Sequence, residues 1–192
     1  MADPKQTIQS QFLNVPNQLT TMRLVLSVIV FVLIPLDQYL FATVVFIVAA
    51  STDWVDGYWA RRYGQVTKLG RVFDPFVDKI IICGTFIFLA AEPLSGIQAW
   101  MAVVVVGREM LVTTLRSLIE QSGGDFSAKM AGKLKMVFQC VAVVNSLLIL
   151  NRSEAAVVTW LDWALVITVY TAILSTVYSG VEYVVAAARY LR

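Results

Sequence analysis

The chain has 192 residues, of which 58% are apolar and 15% charged, and its mean hydropathy is +0.73. That composition excludes an ordinary soluble domain and points to an all-α, polytopic integral membrane protein, because about 20 apolar residues suffice to cross a bilayer as a helix. A net charge of +2 gives no reason to expect a nucleic-acid partner, and the absence of histidine leaves acid–base chemistry to carboxylates and lysines.

The polar opening, Met1 to Gln18, lacks a cleavable signal pattern, so the first apolar run reads as an uncleaved signal-anchor. Thr7 to Val15 mixes polar and apolar residues, which fits a short N-terminal interfacial helix or a disordered tail. Six transmembrane helices are then predicted over Leu19–Leu36, Leu40–Ala60, Phe73–Ala91, Ala99–Ile119, Leu134–Leu150 and Val157–Ala188. The last is longer than a bilayer needs, so it must tilt or project into water. No linker or separate soluble domain fits, and residues 1–192 read as a single membrane domain. Cys83 and Cys140 fall inside apolar runs and read as packing residues.

The connections alternate in charge. Asp37–Tyr39 and Glu92–Gln98 contain no Lys or Arg, and Asn151–Ala156 contains only Arg152. The remaining basic residues lie at the N-terminus, in Arg61–Lys79 and Arg108–Lys135, and at Arg189 and Arg192. The positive-inside rule therefore places both termini and both basic connections in the cytoplasm.

Four acids stand in or beside the second and third spans: Asp53, Asp56, Asp74 and Asp78. An unpartnered Asp at mid-helix costs roughly 3 kcal/mol on insertion scales, so they need compensation. Asp53 and Asp56 are spaced i, i+3 and Asp74 and Asp78 i, i+4, so each pair shares one helix face. Two antiparallel helices on a short connection can aim all four at one small volume, where they would repel without cations between them. An oxygen-only donor set suits Mg2+ or Mn2+, and two such ions about 4 Å apart would make a centre for phosphoryl chemistry. Gly57 and Ala60 leave a groove beside the acids, Arg61 can reach a phosphate oxygen, and Gly70 loosens the chain ahead of Asp74. The competing readings are salt bridges between these acids and nearby Arg or Lys, or the lining of a cation transport path.

The segment D-W-V-D-G-Y-W-A-R-R-Y-G-Q-V-T-K-L-G-R-V-F-D-P-F-V-D resembles the signature of the CDP-alcohol phosphotransferases, D-x2-D-G-x2-A-R-x8-G-x3-D-x3-D. Every fixed position is matched, at Asp53, Asp56, Gly57, Ala60, Arg61, Gly70, Asp74 and Asp78. The resemblance implies six transmembrane helices, a homodimer, a cytoplasm-facing site in the bacterial inner (cytoplasmic) membrane, two divalent cations, CDP-diacylglycerol or a related CDP-alcohol as donor, and CMP as leaving group. Asn14 to Arg23, Gly107 to Arg116 and Ala131 to Gln139 look like stretches of phosphatidylglycerophosphate synthases, although Met136 stands where Thr would be expected. Glycerol 3-phosphate is then the expected acceptor. A phosphatidylinositol-phosphate synthase or a cardiolipin synthase of the same family is the alternative.

A dianionic acceptor needs at least two cations. Arg108 and Arg116 are about 80° apart around one helix, so both can lean toward one cavity. Arg108 can instead pair with Glu109, and Arg116 can snorkel to head groups. Lys133 and Lys135 are about 200° apart and cannot both face that cavity from a regular helix. Lys135 is the better candidate and shares a face with Gln139, which is also expected to bind the acceptor, while Lys133 can bind phosphate from a loop or touch anionic lipid. Asn17, Thr20 and Arg23 can hydrogen-bond the cytidine or its phosphates, or Asn17 and Thr20 can cap a helix end. Asp78 is assigned a second role, removing the proton from the acceptor's sn-1 hydroxyl. Trp54, Trp59 and Trp100 read as interface or packing aromatics.

Overall fold

Proline ends the first helix. Pro35 lacks an amide donor and restricts the residue before it, so the helical ladder stops near Leu33 rather than at Leu36. The chain turns at once: Asp37 N–H donates to Ile34 O (3.0 Å), Gln38 N–H donates to Leu33 O (3.0 Å), and Asp37 takes a left-handed φ of 58°. Aspartate tolerates that conformation better than most residues. Tyr39 Oη locks the turn by donating to Asp37 Oδ1 at 2.7 Å.

The computed structural model describes residues 15–63, 68–121, 130–152 and 159–190; within these helices the side chains of 15–17, 53–63, 68–75, 120–121, 130–131, 133, 159 and 190 lie outside the described set. The expected interfacial helix over Thr7 to Val15 falls almost wholly outside these residues. Six helices are described: α1 (Val15–Leu33), α2 (Tyr39–Tyr63), α3 (Lys68–Ala90), α4 (Ala99–Gln121), α5 (Met130–Leu150) and α6 (Thr159–Tyr190). The described residues contain no strand. Each helix coincides with one expected span, and α2 and α3 extend into the charged residues Arg61–Tyr63 and Lys68–Val72. Helix α6, at 32 residues, is about 48 Å long, well beyond a ~30 Å hydrocarbon core. Its stretch Trp160–Arg189 is the one described segment long and apolar enough to cross a bilayer by itself; Gln18–Leu33, Tyr39–Thr52 and Leu134–Leu150 are shorter apolar stretches.

The chain divides into two compact units, Met1–Thr85 and Phe86–Arg192. In the first, α1 packs along α2. Buried positions on α1 run Thr20, Arg23, Ser27 and Val30, with Ile34 just past its end, and on α2 Tyr39, Ala42, Thr43, Phe46 and Ala49. These spacings of three and four trace one stripe per helix. The opposite faces carry Val25, Val28, Ile29 and Val32 on α1, and Phe41, Val44, Ile47 and Val48 on α2, all exposed. Exposed faces that are apolar over 25–32 and 41–48, with the polar Thr20, Arg23, Ser27 and Thr43 on the buried ones, depart from the pattern of a soluble helix and suit a hydrocarbon solvent. Helix α3 approaches α1 closely at Gly84, where a Cβ would stand 2.2 Å from the Phe31 ring. A side chain there would force the ring away.

In the second unit α6 packs against both α4 and α5. Its buried face carries Leu165, Val169, Ala172 and Ile173, then Thr176, Ser179 and Tyr183. Gly180 leaves room for the aliphatic stem of Arg108, whose Cγ lies 3.2 Å from where a Cβ would stand. Ser146 Oγ donates to Ser95 O at 2.8 Å and ties the connection ahead of α4 to α5.

Candidate functional site

Two polar clusters interrupt the apolar helices, one in each unit. The first is organised by Arg23. Its side chain is 1% exposed, and Nη1 donates to Asp78 Oδ1 in an ion pair. Its Nε donates to Thr52 Oγ1 at 3.4 Å. An arginine buried inside a membrane-type helix is costly unless paired, and here α2 and α3 both supply acceptors. Arg23, expected from the sequence to reach the cytidine or its phosphates, is paired here with Asp78.

The register of this clamp is informative. Asp56 lies four residues along α2 from Thr52, and Asp74 lies four residues along α3 from Asp78. Each is one helical turn, about 6 Å, farther toward the 64–67 connection. One guanidinium that meets positions 52 and 78 therefore brings the two acid-bearing helices together one turn from Asp56 and Asp74. Both helices run unbroken through their acidic positions. Thr52 Oγ1 also donates to Ala49 O at 2.7 Å, and Ser27 Oγ donates to Arg23 O at 2.7 Å, so the clamp rests on regular helix.

Asp53, Asp56, Gly57, Ala60 and Arg61 are on α2, and Gly70 and Asp74 on α3; their side chains, like that of Asn17 on α1, lie outside the described residues. Among the described residues no group of three or more metal-ligating side chains occurs. The donor chemistry nevertheless fits a hard divalent ion: carboxylates alone, on two helices joined through one clamp. Thr20 is buried on α1, on the same stripe as Arg23.

The second cluster gathers three of the expected acceptor-binding residues. Arg108 donates through Nη1 to Glu109 Oε1 (3.1 Å), and through Nε and Nη2 to Ser179 Oγ (3.1 and 2.8 Å). Lys135 Nζ forms an ion pair with the same Glu109 oxygen. Arg116 Nη2 donates to Tyr183 Oη at 3.2 Å. The guanidinium carbons of Arg108 and Arg116 lie 5.5 and 5.9 Å from the Tyr183 ring centroid, within cation–π range. The two arginines thus meet the same ring, as their helical phase requires. Arg116 Nε is buried and has no hydrogen-bond acceptor among the described residues.

Gln139, one turn beyond Lys135, is fully buried, and its Nε2 donates to Thr176 Oγ1 at 2.9 Å. The side chain of Lys133 lies outside the described residues. Sequence reasoning missed Thr176, Ser179 and Tyr183, and it saw Glu109 only as a partner for Arg108. A signal for the α6 residues was present: Thr176, Ser179 and Tyr183 recur at spacings of three and four and so share one face of the helix.

Comparison with known proteins finds matches over most of the chain. A family model described as CDP-alcohol phosphatidyltransferase matches residues 13–177. The CDP-diacylglycerol–glycerol-3-phosphate 3-phosphatidyltransferase of Bacillus subtilis (strain 168) is 35% identical over 185 residues, covering 88% of this chain and 93% of the relative. Proteins of the same name from Escherichia coli (strain K12) and Rickettsia typhi (strain ATCC VR-144 / Wilmington) are each 30% identical. They cover 91% and 92% of this chain, and 94% and 98% of their own lengths.

Proposed function

The chain belongs to the CDP-alcohol phosphatidyltransferase family, and on that premise we propose that it transfers the phosphatidyl group of CDP-diacylglycerol to glycerol 3-phosphate, giving phosphatidylglycerophosphate and CMP. It is a phosphatidyltransferase of phospholipid synthesis. The observation that carries the reading is the Arg23 clamp, which joins α2 beside Asp53 to α3 at Asp78. The choice of acceptor is supported by the meeting of Arg108, Arg116 and Lys135 around Glu109 and Tyr183, since a neutral alcohol needs no such gathering of cations.

Asp53, Asp56, Asp74 and Asp78 would hold two divalent cations, Mg2+ or Mn2+, whose chemistry would be to neutralise the diphosphate and stabilise the departure of CMP. The chain's own residues do the rest. Asn17, Thr20, Gly57, Ala60, Arg61 and Gly70 receive the CDP-diacylglycerol, with the small residues admitting the diphosphate to the backbone and Arg61 balancing the charge that develops on CMP. Arg23 fixes the orientation of the Asp78 carboxylate, which removes the proton from the sn-1 hydroxyl of glycerol 3-phosphate. The alkoxide oxygen forms its bond to the phosphorus attached to diacylglycerol as the bond to CMP breaks. Arg108, Arg116, Lys135 and Gln139 take the acceptor's phosphate, Gln139 being one turn from Lys135 and anchored to Thr176; Lys133, about 200° around the same regular helix from Lys135, touches anionic lipid.

Residues 1–192 are read as a single membrane domain, in a homodimer with six transmembrane helices per chain. Both termini and the active site face the cytoplasm, and the membrane is the bacterial inner membrane. Surrounding membrane lipids are partners, and nucleic acid is not.

An acceptor screen tests the reading. Purified protein with CDP-diacylglycerol should release CMP with glycerol 3-phosphate, and not with inositol phosphate or phosphatidylglycerol. Chelation with EDTA should stop release, and added Mg2+ or Mn2+ should restore it. CMP release with inositol phosphate alone would replace the acceptor.

A further inference from the structure

Glu109 is the one acid joined to the basic cluster by the ion pairs described above, and a single oxygen of it takes both partners. Oε1 accepts from Arg108 Nη1 at 3.1 Å and pairs with Lys135 Nζ. The three side chains are nearly buried, at 9% exposure for Arg108, 12% for Glu109 and 7% for Lys135. Two cations converging on one anionic oxygen is also how a phosphate oxygen is held. In a poorly solvated setting, neither cation is stable without such a counter-charge.

We propose that the Glu109 carboxylate is a built-in substitute for the acceptor's phosphate: it compensates Arg108 and Lys135 before substrate arrives and is displaced when a phosphomonoester dianion enters. The inference rests on the proposed use of this cluster as the acceptor subsite. It goes further by making Glu109 a specificity-determining residue. A dianion brings two charges and three terminal oxygens to cations that Glu109 engages through one oxygen, so it can take over both and also engage Arg116, whose buried Nε has no acceptor among the described residues. A neutral alcohol brings no charge and cannot displace the carboxylate, because that would separate two buried cations from the anion they pair with and put nothing in its place. Glu109 therefore discriminates by repulsion as well as by occupancy. An anion too weak to displace it meets a like charge at the entrance to the cations. Cation binding and acceptor selection are then coupled through one side chain that need not touch the reacting atoms.

A purely structural Glu109 and a competing Glu109 give opposite signs when the charge is removed. The test compares wild-type protein with Glu109→Gln in detergent, using inorganic phosphate as the probe in titration calorimetry without CDP-diacylglycerol. Glu109→Gln should bind phosphate about tenfold more tightly, as expected for the loss of a close competing charge. In steady-state assays its KM for glycerol 3-phosphate should fall, and kcat should fall with it, because the product carries the same phosphate and leaves more slowly. Unchanged or weaker phosphate binding by a folded Glu109→Gln protein, or a raised KM, overturns the proposal. If Glu109→Gln yields no folded protein, Glu109→Asp retains the charge with a shorter reach, and it should shift phosphate affinity and KM in the same direction by a smaller factor. No shift in Glu109→Asp would then overturn the proposal. Failure of wild-type protein to release CMP with glycerol 3-phosphate would strike the parent reading instead, and the phosphate titration would still decide the role of Glu109.

Discussion

The two polar clusters are opposites in charge and alike in design. In the amino-terminal unit the helices α2 and α3 carry four acids, and the buried cation Arg23 is paired with Asp78. In the carboxy-terminal unit Arg108, Arg116 and Lys135 gather, and the acid Glu109 is shared between two of them. Each cluster thus contains a residue of the sign its ligand would bring. A poorly solvated setting makes this arrangement necessary, since a set of like charges with no counter-charge is unstable there. The comparison separates two kinds of residue. Changes among the excess charges should abolish or weaken the reaction, and changes in the groups that steady them should have graded effects.

The largest effect is expected at Asp78, which belongs to the acidic excess and also touches the built-in cation. Asp78→Asn keeps the size and a hydrogen-bonding oxygen for Arg23 but removes the base. CMP release should fall by roughly 10²–10⁴-fold, the range attributed to general-base catalysis. Binding of CDP-diacylglycerol, followed by equilibrium titration, should persist. Normal turnover by Asp78→Asn would move the base elsewhere and break the parallel between the clusters at its acidic end.

Next in size is the loss of one excess cation. Lys135→Met preserves the apolar stem of a side chain that is almost wholly buried. It removes one charge-assisted contact to the acceptor's phosphate, each such contact contributing about 1.5–3 kcal/mol. The expectation is a drop of roughly 10–100-fold in kcat/KM for glycerol 3-phosphate, carried mainly by KM, with KM for CDP-diacylglycerol unchanged. An equal rise in both KM values would mean that the basic cluster does not distinguish acceptor from donor.

Much of this was readable in the chain itself. Hydropathy located all six described helices within a few residues, because a long apolar run pairs its backbone groups most readily as a helix. The departures have local causes. Pro35 stopped α1 before the apolar run ended, and the charged ends of α2 and α3 continued as helix where hydropathy has no signal. The spacing of the acids and of Arg108 with Arg116 was legible because helical phase is fixed by residue number. The partners were not. Arg23 and Asp78 are 55 residues apart and Arg108 and Ser179 are 71 apart. No local rule pairs side chains at that distance, so the clamp of Arg23 and the polar stripe on α6 emerged only from packing. Glu109 shows the same limit at short range. Its pairing with Arg108 was a sequence-level alternative, but its sharing with Lys135 requires α4 and α5 to be placed in space.

The smallest effect should come from Tyr183, which carries no charge and supports two residues that do. Its hydroxyl accepts from Arg116, while its ring lies beneath both arginines. Tyr183→Phe keeps the ring, and with it the cation–π contacts, and deletes one hydrogen bond of about 1 kcal/mol. KM for glycerol 3-phosphate should rise by roughly fivefold with kcat nearly unchanged. Tyr183→Leu, which removes the ring as well, should cost more and affect both arginines together. If Phe and Leu behaved alike, the ring would contribute nothing and the hydroxyl alone would position Arg116. If Phe matched wild type and Leu did not, the two arginines would be held chiefly by stacking on a shared face, and the basic cluster would be organised by an aromatic plane where the acidic one is organised by an ion pair.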